Sequence, residues 1–139
     1  MIQPYLFFGG RCDEAIAFYG RVLGAHVQFL LRHSESPEPP PPGTVPDGFE
    51  QKVMHATIRI GDAEIMMSDG CGEEAAFAGF RLSVQLADEA AARRAFDGLA
   101  DGGTVDLPIG PTFWSSCFGM VTDRFGLGWM VSVEGETGA

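Results

Sequence analysis

The chain has few basic residues, no paired cysteines and no long apolar run. Lys and Arg total 9 against 19 Asp and Glu, which gives a formal net charge of −10. Nucleic acids and anionic membranes attract clustered positive charge, so this balance argues against both as partners. No apolar run approaches the ~20 residues of a membrane-spanning helix. The three cysteines, Cys12, Cys71 and Cys117, form no CxxC pair, which favours reduced thiols and a cytoplasmic location.

The N-terminus also lacks the basic region and the small-residue cleavage site of a signal peptide, so none is expected. What the chain does have is the composition of a folded globule. Its 139 residues are 45% apolar and 20% charged. A chain of this size buries a substantial core, and we therefore predict one domain that spans residues 1–139.

An internal repeat is the most informative pattern in the sequence. Asp13-Glu14-Ala15 opens an apolar helical pattern, and Asp88-Glu89-Ala90 opens a second one. Each pattern follows an alternating apolar segment and precedes two or three more such segments. A unit that occurs only twice is not a solenoid, which needs more copies. We therefore predict an α+β fold of two βαβββ modules, about 1–70 and 79–135, that form a cupped mixed sheet with the helices outside.

The ends of the two halves also share letters, because Met66-Met67-Ser68 corresponds to Met130-Val131-Ser132. These triplets are 64 residues apart, whereas the two Asp-Glu-Ala triplets are 75 apart. The proline-rich stretch 33–48 in the first half accounts for the difference. We expect that stretch to be a long irregular loop, either mobile or folded over something, and its role stays open.

Periodicity locates the elements within each half. Ile2–Phe8 predicts a first strand, and Asp13 is a candidate N-cap of the helix that follows. Lys52–Asp69 predicts a β-hairpin with its turn at Gly61-Asp62. Asp88–Ala100 predicts the second helix, after which come three more strands. The predicted buried face of that helix consists of Ala92, Ala95, Phe96 and Leu99.

Three segments carry a resemblance to a known family. They are the helix entry Ala15-Ile16-Ala17-Phe18-Tyr19, the strand pair that includes His55-Ala56 and Met66-Met67-Ser68-Asp69, and Gly119-Met120-Val121-Thr122-Asp123-Arg124-Phe125-Gly126 followed by Trp129-Met130. Together they resemble the PhnB-like branch of the vicinal oxygen chelate superfamily, the glyoxalase and bleomycin-resistance fold. The resemblance covers nearly the whole chain, and it implies the two-module fold and homodimerisation. Members of this branch often carry a 3-demethylubiquinone methyltransferase label, but nothing in this sequence resembles a nucleotide methyl-donor site.

The resemblance also implies where metal ligands would lie. Metal enzymes of the superfamily place His or Glu on the first and last strands of each half. Here the first strands, Gln3–Phe8 and Arg81–Leu86, contain neither His nor a carboxylate, and Trp129–Ser132 replaces the expected Glu of the last strand. We therefore expect no cofactor and no family-type metal centre. His55 and Glu64 are weak candidates for a divalent ion held by displaced ligands.

His55 is the residue most open to a catalytic role. It shares a strand face with Thr57, opposite the apolar residues Met54, Ala56 and Ile58. If the apolar face packs on the helices, His55 points to the concave side, where an imidazole can hydrogen-bond or act as a general base. A histidine satisfied within a polar patch or at a dimer contact explains the same pattern.

Aromatic residues form a second constellation, on the first strand and near the last hairpin. Small-molecule pockets have apolar and aromatic linings with a few polar groups, although core packing needs bulky residues as well. Cys12 precedes the predicted helix, where a thiol pKa can fall, whereas Cys117 is expected to be buried and inert. The candidate pocket residues are Tyr5, Phe7, His55, Thr57, Met66, Trp114, Phe118 and Trp129.

The leading hypothesis is a cytoplasmic PhnB-like protein that binds a small molecule in a concave pocket without a catalytic metal. A sequestering role like that of bleomycin resistance fits this hypothesis. The alternative is a metal-dependent dioxygenase, isomerase or lyase of the same superfamily with displaced ligands. A purely structural or partner-binding role is a third hypothesis. The sequence does not identify the ligand.

Overall fold

Each half of the chain folds as a strand, a helix and three further strands. The computed structural model describes residues 1–38, 40–72 and 74–135, and the chain divides into two compact units, residues 1–75 and 76–139. The elements of the first unit are β1 (Tyr5–Phe7), α1 (Cys12–Leu23), β2 (His26–Arg32), a 3-10 turn (His33–Glu35), β3 (Val53–Ile60) and β4 (Ala63–Ser68). Those of the second are β5 (Leu82–Leu86), α2 (Glu89–Ala100), β6 (Thr104–Gly110), β7 (Phe118–Thr122) and β8 (Gly128–Val133).

Both modules arrange their strands in the same order. The first sheet has the order β1-β4-β3-β2, and the second has the order β5-β8-β7-β6. In each, the first strand pairs parallel to the last, and the remaining pairs are antiparallel. The predicted α+β fold of two βαβββ modules is therefore confirmed. Within the described residues, no helix is long and apolar enough to span a membrane.

The two modules agree in register, residue by residue. Tyr5 lies opposite Met66 in the first sheet, as Ser83 lies opposite Met130 in the second. An irregularity in pairing follows Val27 on β2, and the corresponding irregularity follows Val105 on β6. An added residue in a ladder bends the strand locally. Since a shared bulge is a detail that the fold class does not require, it supports duplication of one ancestral module.

The Asp-Glu-Ala triplets that first indicated the repeat are not equivalent in the structure. Asp88 is the N-cap of α2, and its carboxylate accepts a hydrogen bond from Ala91 N–H at 2.8 Å. Asp13, by contrast, lies inside the first turn of α1, whose N-cap is Arg11 without a side-chain bond. The prediction of Asp13 as N-cap is wrong. Its carboxylate instead forms an ion pair with Arg32 at 2.8 Å.

In each module the helix covers one face of the sheet. The buried residues of α2 are the four that were predicted from the sequence. The helix approaches β7 closely, because a Cβ added at Gly119 would lie 2.7 Å from the ring of Phe96. The buried residues of α1 are Cys12, Ala15, Phe18 and Tyr19, and the strand residues beneath the two helices include Leu6, Ala56, Ile58, Ile65, Met67, Val121, Trp129 and Val131.

A buried carboxylate fixes the entry to α1. Asp69, at the end of β4, accepts hydrogen bonds from Gly10 N–H and Cys12 N–H, both at 2.8 Å. Its other oxygen accepts from Val53 N–H at 2.9 Å. The first N–H groups of a helix have no partner within the helix, so Asp69 supplies from another strand the cap that Arg11 does not provide.

The proline-rich stretch 33–48 contains no helix or strand after the short 3-10 turn, within its described residues. Its start is fixed by main-chain bonds from His33 N–H to Lys52 O and from Ser34 N–H to Glu50 O. The predicted irregular loop is therefore confirmed, except at Pro39, which lies outside the described residues.

Candidate functional site

The face of the first sheet that points away from α1 carries a group of exposed aromatic side chains. Successive residues of a strand point to opposite faces, so Leu6 is buried while its neighbours Tyr5 and Phe7 are 39% and 47% exposed. Phe29 on β2 is 50% exposed. Exposed apolar side chains that lie together mark binding surfaces more often than isolated ones do. We call the face formed by Tyr5, Phe7, Phe29, His55, Thr57 and Met66 the open face.

His55 lies among the aromatic rings of the open face. Its ring centroid is 5.6 Å from that of Tyr5 and 5.8 Å from that of Phe29. Tyr5 in turn is 5.0 Å from Phe7. These separations are in the range of favourable aromatic pairs. The predicted residues Tyr5, Phe7 and His55 are therefore brought together, with Phe29 as an additional member that sequence reasoning missed.

A polar network runs through the same group. Tyr5 Oη is 3.1 Å from Nδ1 of His55, and Nε2 of His55 is 3.5 Å from Oγ1 of Thr57. Burial raises the pKa of the Tyr5 phenol, and a hydrogen bond with Ser68 offsets part of that rise. The phenol is therefore protonated at neutral pH and can donate. The open face thus offers aromatic rings for stacking and hydroxyl groups for orientation.

The donor set of the open face does not fit a divalent metal ion. Glu64 lies opposite Arg59, four residues along β3 from His55, which places the two rows roughly 13 Å apart. Metal–ligand bonds are about 2.0–2.6 Å long, so one ion cannot bind both side chains. Glu64 is also engaged by Arg59 at 2.8 Å and by Gln3 at 3.3 Å. The structure gives no support to His55 and Glu64 as joint ligands.

The three pocket candidates in the second module do not share one surface. Trp129 is buried, pairs with Val121 beneath α2, and donates its indole N–H to Asp123 at 2.9 Å. This placement gives no support to a pocket role for Trp129. Phe118 is buried as well, and Trp114 packs against it edge-on at 5.5 Å. A depression of about 490 Å³ beside Trp114 is lined by residues 111–116 and Gly135.

The cysteine at the start of α1 is not a reactive thiol. Cys12 is fully buried, and burial, together with the nearby carboxylates of Asp69 and Asp13, raises its pKa above the ordinary thiol value. Its position at a helix N-terminus therefore does not activate it, because the desolvation of the thiolate is the larger effect. Cys117 is buried, as expected from the sequence.

Comparison with known proteins agrees with the topology. Residues 2–131 match the family model of the Glyoxalase/Bleomycin resistance protein/Dioxygenase superfamily. The chain belongs to this superfamily. The match spans both modules, so the superfamily assignment covers the open face and the second module alike. The resemblance to its PhnB-like branch is also confirmed, by the following relatives.

Protein YjdN of Escherichia coli K12 is 36% identical over 138 residues, which cover 95% of this chain and 94% of that protein. The crystal structure of protein PA1353 from Pseudomonas aeruginosa is 40% identical, with a TM-score of 0.83 and coverage of 96% and 97% of the two chains. A PhnB protein from Bacillus cereus, described as a putative 3-demethylubiquinone-9 3-methyltransferase, is 25% identical, with a TM-score of 0.79 and coverage of 95% and 98%.

Proposed function

We propose that this protein binds a small planar aromatic molecule on the open face of its first module. The observation that carries the proposal is the group of half-exposed rings around His55. Flat aromatic ligands stack on such rings, and aromatic pairs contribute about 0.5–1.5 kcal/mol beyond the area that they bury. The Tyr5–His55–Thr57 network supplies the few polar groups that orient a ligand in an otherwise apolar site.

The proposed role is binding or sequestration, and it involves no metal ion. The donor set around His55 does not suit a divalent ion, so we derive no metal-dependent step. Methyl transfer is not part of the proposal either, because nothing in the sequence resembles a nucleotide methyl-donor site. Homodimerisation and a cytoplasmic location stay predictions from the family resemblance and from the composition.

A titration followed by NMR tests the proposal, with 2-acetylnaphthalene as the probe. We expect the probe to shift the resonances of Tyr5, Phe7, Phe29 and His55. Replacing Phe29 by Leu removes a ring but keeps an apolar side chain, and we expect the affinity to fall by about fivefold to tenfold.

Phe113→Leu is the matched control, because Phe113 is 96% exposed and lies in the second module. The control variant should bind the probe as the wild-type protein does. Equal affinities of the wild-type protein and the Phe29→Leu variant would contradict the proposal. An equal loss of affinity for the probe in Phe29→Leu and Phe113→Leu would also contradict it.

A further inference from the structure

The hydrogen bonds of the open face have a direction. Ser68 lies at the buried end of the network, where its Oγ accepts from Gly70 N–H at 2.8 Å. Its hydroxyl donates to Val53 O at 3.4 Å. The direction of the Tyr5–His55 bond follows from acidity, because a phenol O–H is a stronger donor than the N–H of a neutral imidazole, and the unprotonated imidazole nitrogen is the stronger acceptor.

The direction of the first bond determines the others. The phenol of Tyr5 therefore donates to Nδ1 of His55, 3.1 Å away. A neutral imidazole carries one N–H, which must then be on Nε2. That N–H faces Oγ1 of Thr57, which accepts it at 3.5 Å, the long limit of such a bond. The hydroxyl hydrogen of Thr57 is left without an acceptor in the part of the chain that the structure describes.

We propose that the hydroxyl of Thr57 determines ligand specificity on the open face, by donating a hydrogen bond to a neutral carbonyl oxygen on an aromatic ligand. This inference rests on the proposed function. Thr57 lies between Phe29 and Met66 in the sheet register, so a ring attached to a carbonyl above Thr57 lies beside one of these two side chains. His55 occupies one of the two lone pairs of the Thr57 oxygen, and the hydroxyl hydrogen is left to donate to a ligand.

A carboxylate is a poorer ligand than a ketone for this position. The open face includes no Lys or Arg, and Arg59, on the same strand, is already paired with Glu64 at 2.8 Å. A carboxylate loses part of its hydration when it is placed on an apolar surface, and here no cationic partner compensates that loss. The net charge of −10 adds long-range repulsion. The ligand class is therefore a planar aromatic carbonyl compound without a negative charge.

Three naphthalene probes with two variants of Thr57 test the inference. The probes are 2-acetylnaphthalene with its carbonyl, 2-ethylnaphthalene without it, and 2-naphthoate with a carboxylate. Thr57→Val removes the hydroxyl and keeps the β-branched shape, whereas Thr57→Ser keeps the hydroxyl. We expect Thr57→Val to weaken binding of 2-acetylnaphthalene by about fivefold to tenfold and to leave 2-ethylnaphthalene within about twofold of wild type. Thr57→Ser should bind both within about twofold of wild type.

Nitrogen chemical shifts of the His55 ring give a readout that does not depend on affinity. We expect Nδ1 to be unprotonated and Nε2 to carry the proton in the free protein. The opposite tautomer would reverse the network and overturn the assignment of Thr57 as donor. Tighter binding of 2-naphthoate than of 2-acetylnaphthalene would overturn the proposed ligand class.

The failure of this inference is distinguishable from the failure of the proposed function. If Phe29→Leu weakens 2-acetylnaphthalene binding while Thr57→Val does not, the aromatic site stands and the role of Thr57 is wrong. If none of the three probes binds, the inference and the function beneath it are both wrong. Selective loss of the carbonyl probe in Thr57→Val, with Thr57→Ser unaffected, supports both.

Discussion

At the scale of single residues, Asp69 has the largest expected effect on stability. Its two carboxylate oxygens accept from three backbone N–H groups that belong to separate segments of the first module. Asp69 is fully buried, so bulk solvent does not reach its oxygens in the native protein. Each buried donor left without a partner costs about 1–3 kcal/mol. The residue therefore contributes to stability through the groups that it satisfies.

We predict that Asp69→Ala lowers the free energy of unfolding by at least about 3 kcal/mol, and that Asp69→Asn lowers it by about 1–3 kcal/mol. The amide keeps one acceptor oxygen, so part of the network survives in the Asn variant. Urea denaturation followed by circular dichroism measures both values. Asp62→Asn, in the exposed β3–β4 turn, is the control and should stay within about 0.5 kcal/mol of wild type. A loss below about 1 kcal/mol in Asp69→Ala would contradict this account.

At the scale of helices and strands, the sequence predicted most of the elements. It predicted less often which face of an element each side chain occupies. The predicted core of α2 is confirmed because Ala92, Ala95, Phe96 and Leu99 follow the period of one helix. The β3–β4 hairpin is confirmed because its alternation and its turn are both local. Information of this kind lies within a single segment and needs no knowledge of the neighbouring strands.

Phe29 and Trp129 show what local patterns do not contain. Phe29 reaches the open face through its pairing with Thr57, beside an irregularity in β2 that changes which face each residue occupies. The register of β2 is set by its pairing with β3, so the periodicity of β2 alone does not show which face Phe29 occupies. Trp129 lies on a strand that is buried on both faces, so alternation is absent and its direction follows only from its partner Val121.

The contact between α2 and β7 leads to a prediction about Gly119. An added Cβ there would lie 2.7 Å from the Phe96 ring and 2.9 Å from Ile109 Cα, so the helix or the strand must move. We expect Gly119→Ala to lower the free energy of unfolding by about 1–3 kcal/mol. Tryptophan fluorescence during urea denaturation measures the change, because Trp114 and Trp129 both lie in this module.

Gly110→Ala is the matched control, since it adds the same methyl group in the same sheet. Gly110 lies on β6, and a Cβ added there meets nothing within 4 Å. We expect that variant to stay within about 0.5 kcal/mol of wild type. Equal effects at the two glycines would show that close packing against α2 is not the cause.

At the scale of the whole molecule, two modules with one topology have diverged in their open faces. The sheet register places Ser83 where the first module has Tyr5, and Gln85 where it has Phe7. Phe118 occupies the position that corresponds to His55. The aromatic group and the polar network therefore exist in the first module, and their counterparts in the second are a serine, a glutamine and a buried phenylalanine. Duplication explains the common fold, and the divergence supports the first module as the place of the proposed ligand site.

The net charge of the molecule predicts that salt affects the binding of a cationic ligand more than the binding of a neutral one. A net charge of −10 attracts cations. Dissolved salt screens this attraction beyond about 10 Å at 0.1 M ionic strength. A hydrogen bond from Thr57 to a neutral carbonyl acts at contact and is not screened. We therefore predict that the affinity for 2-acetylnaphthalene changes by less than about twofold between about 50 mM and about 0.5 M sodium chloride.

The cationic probe 2-naphthylmethylammonium should bind more tightly at low salt than at high salt. We expect its affinity to fall by about fivefold or more over the same range of sodium chloride. Isothermal titration calorimetry at each salt concentration measures both affinities. An equal salt dependence of the two probes would mean that long-range charge governs recognition, and the contact between Thr57 and a carbonyl would then not determine the affinity.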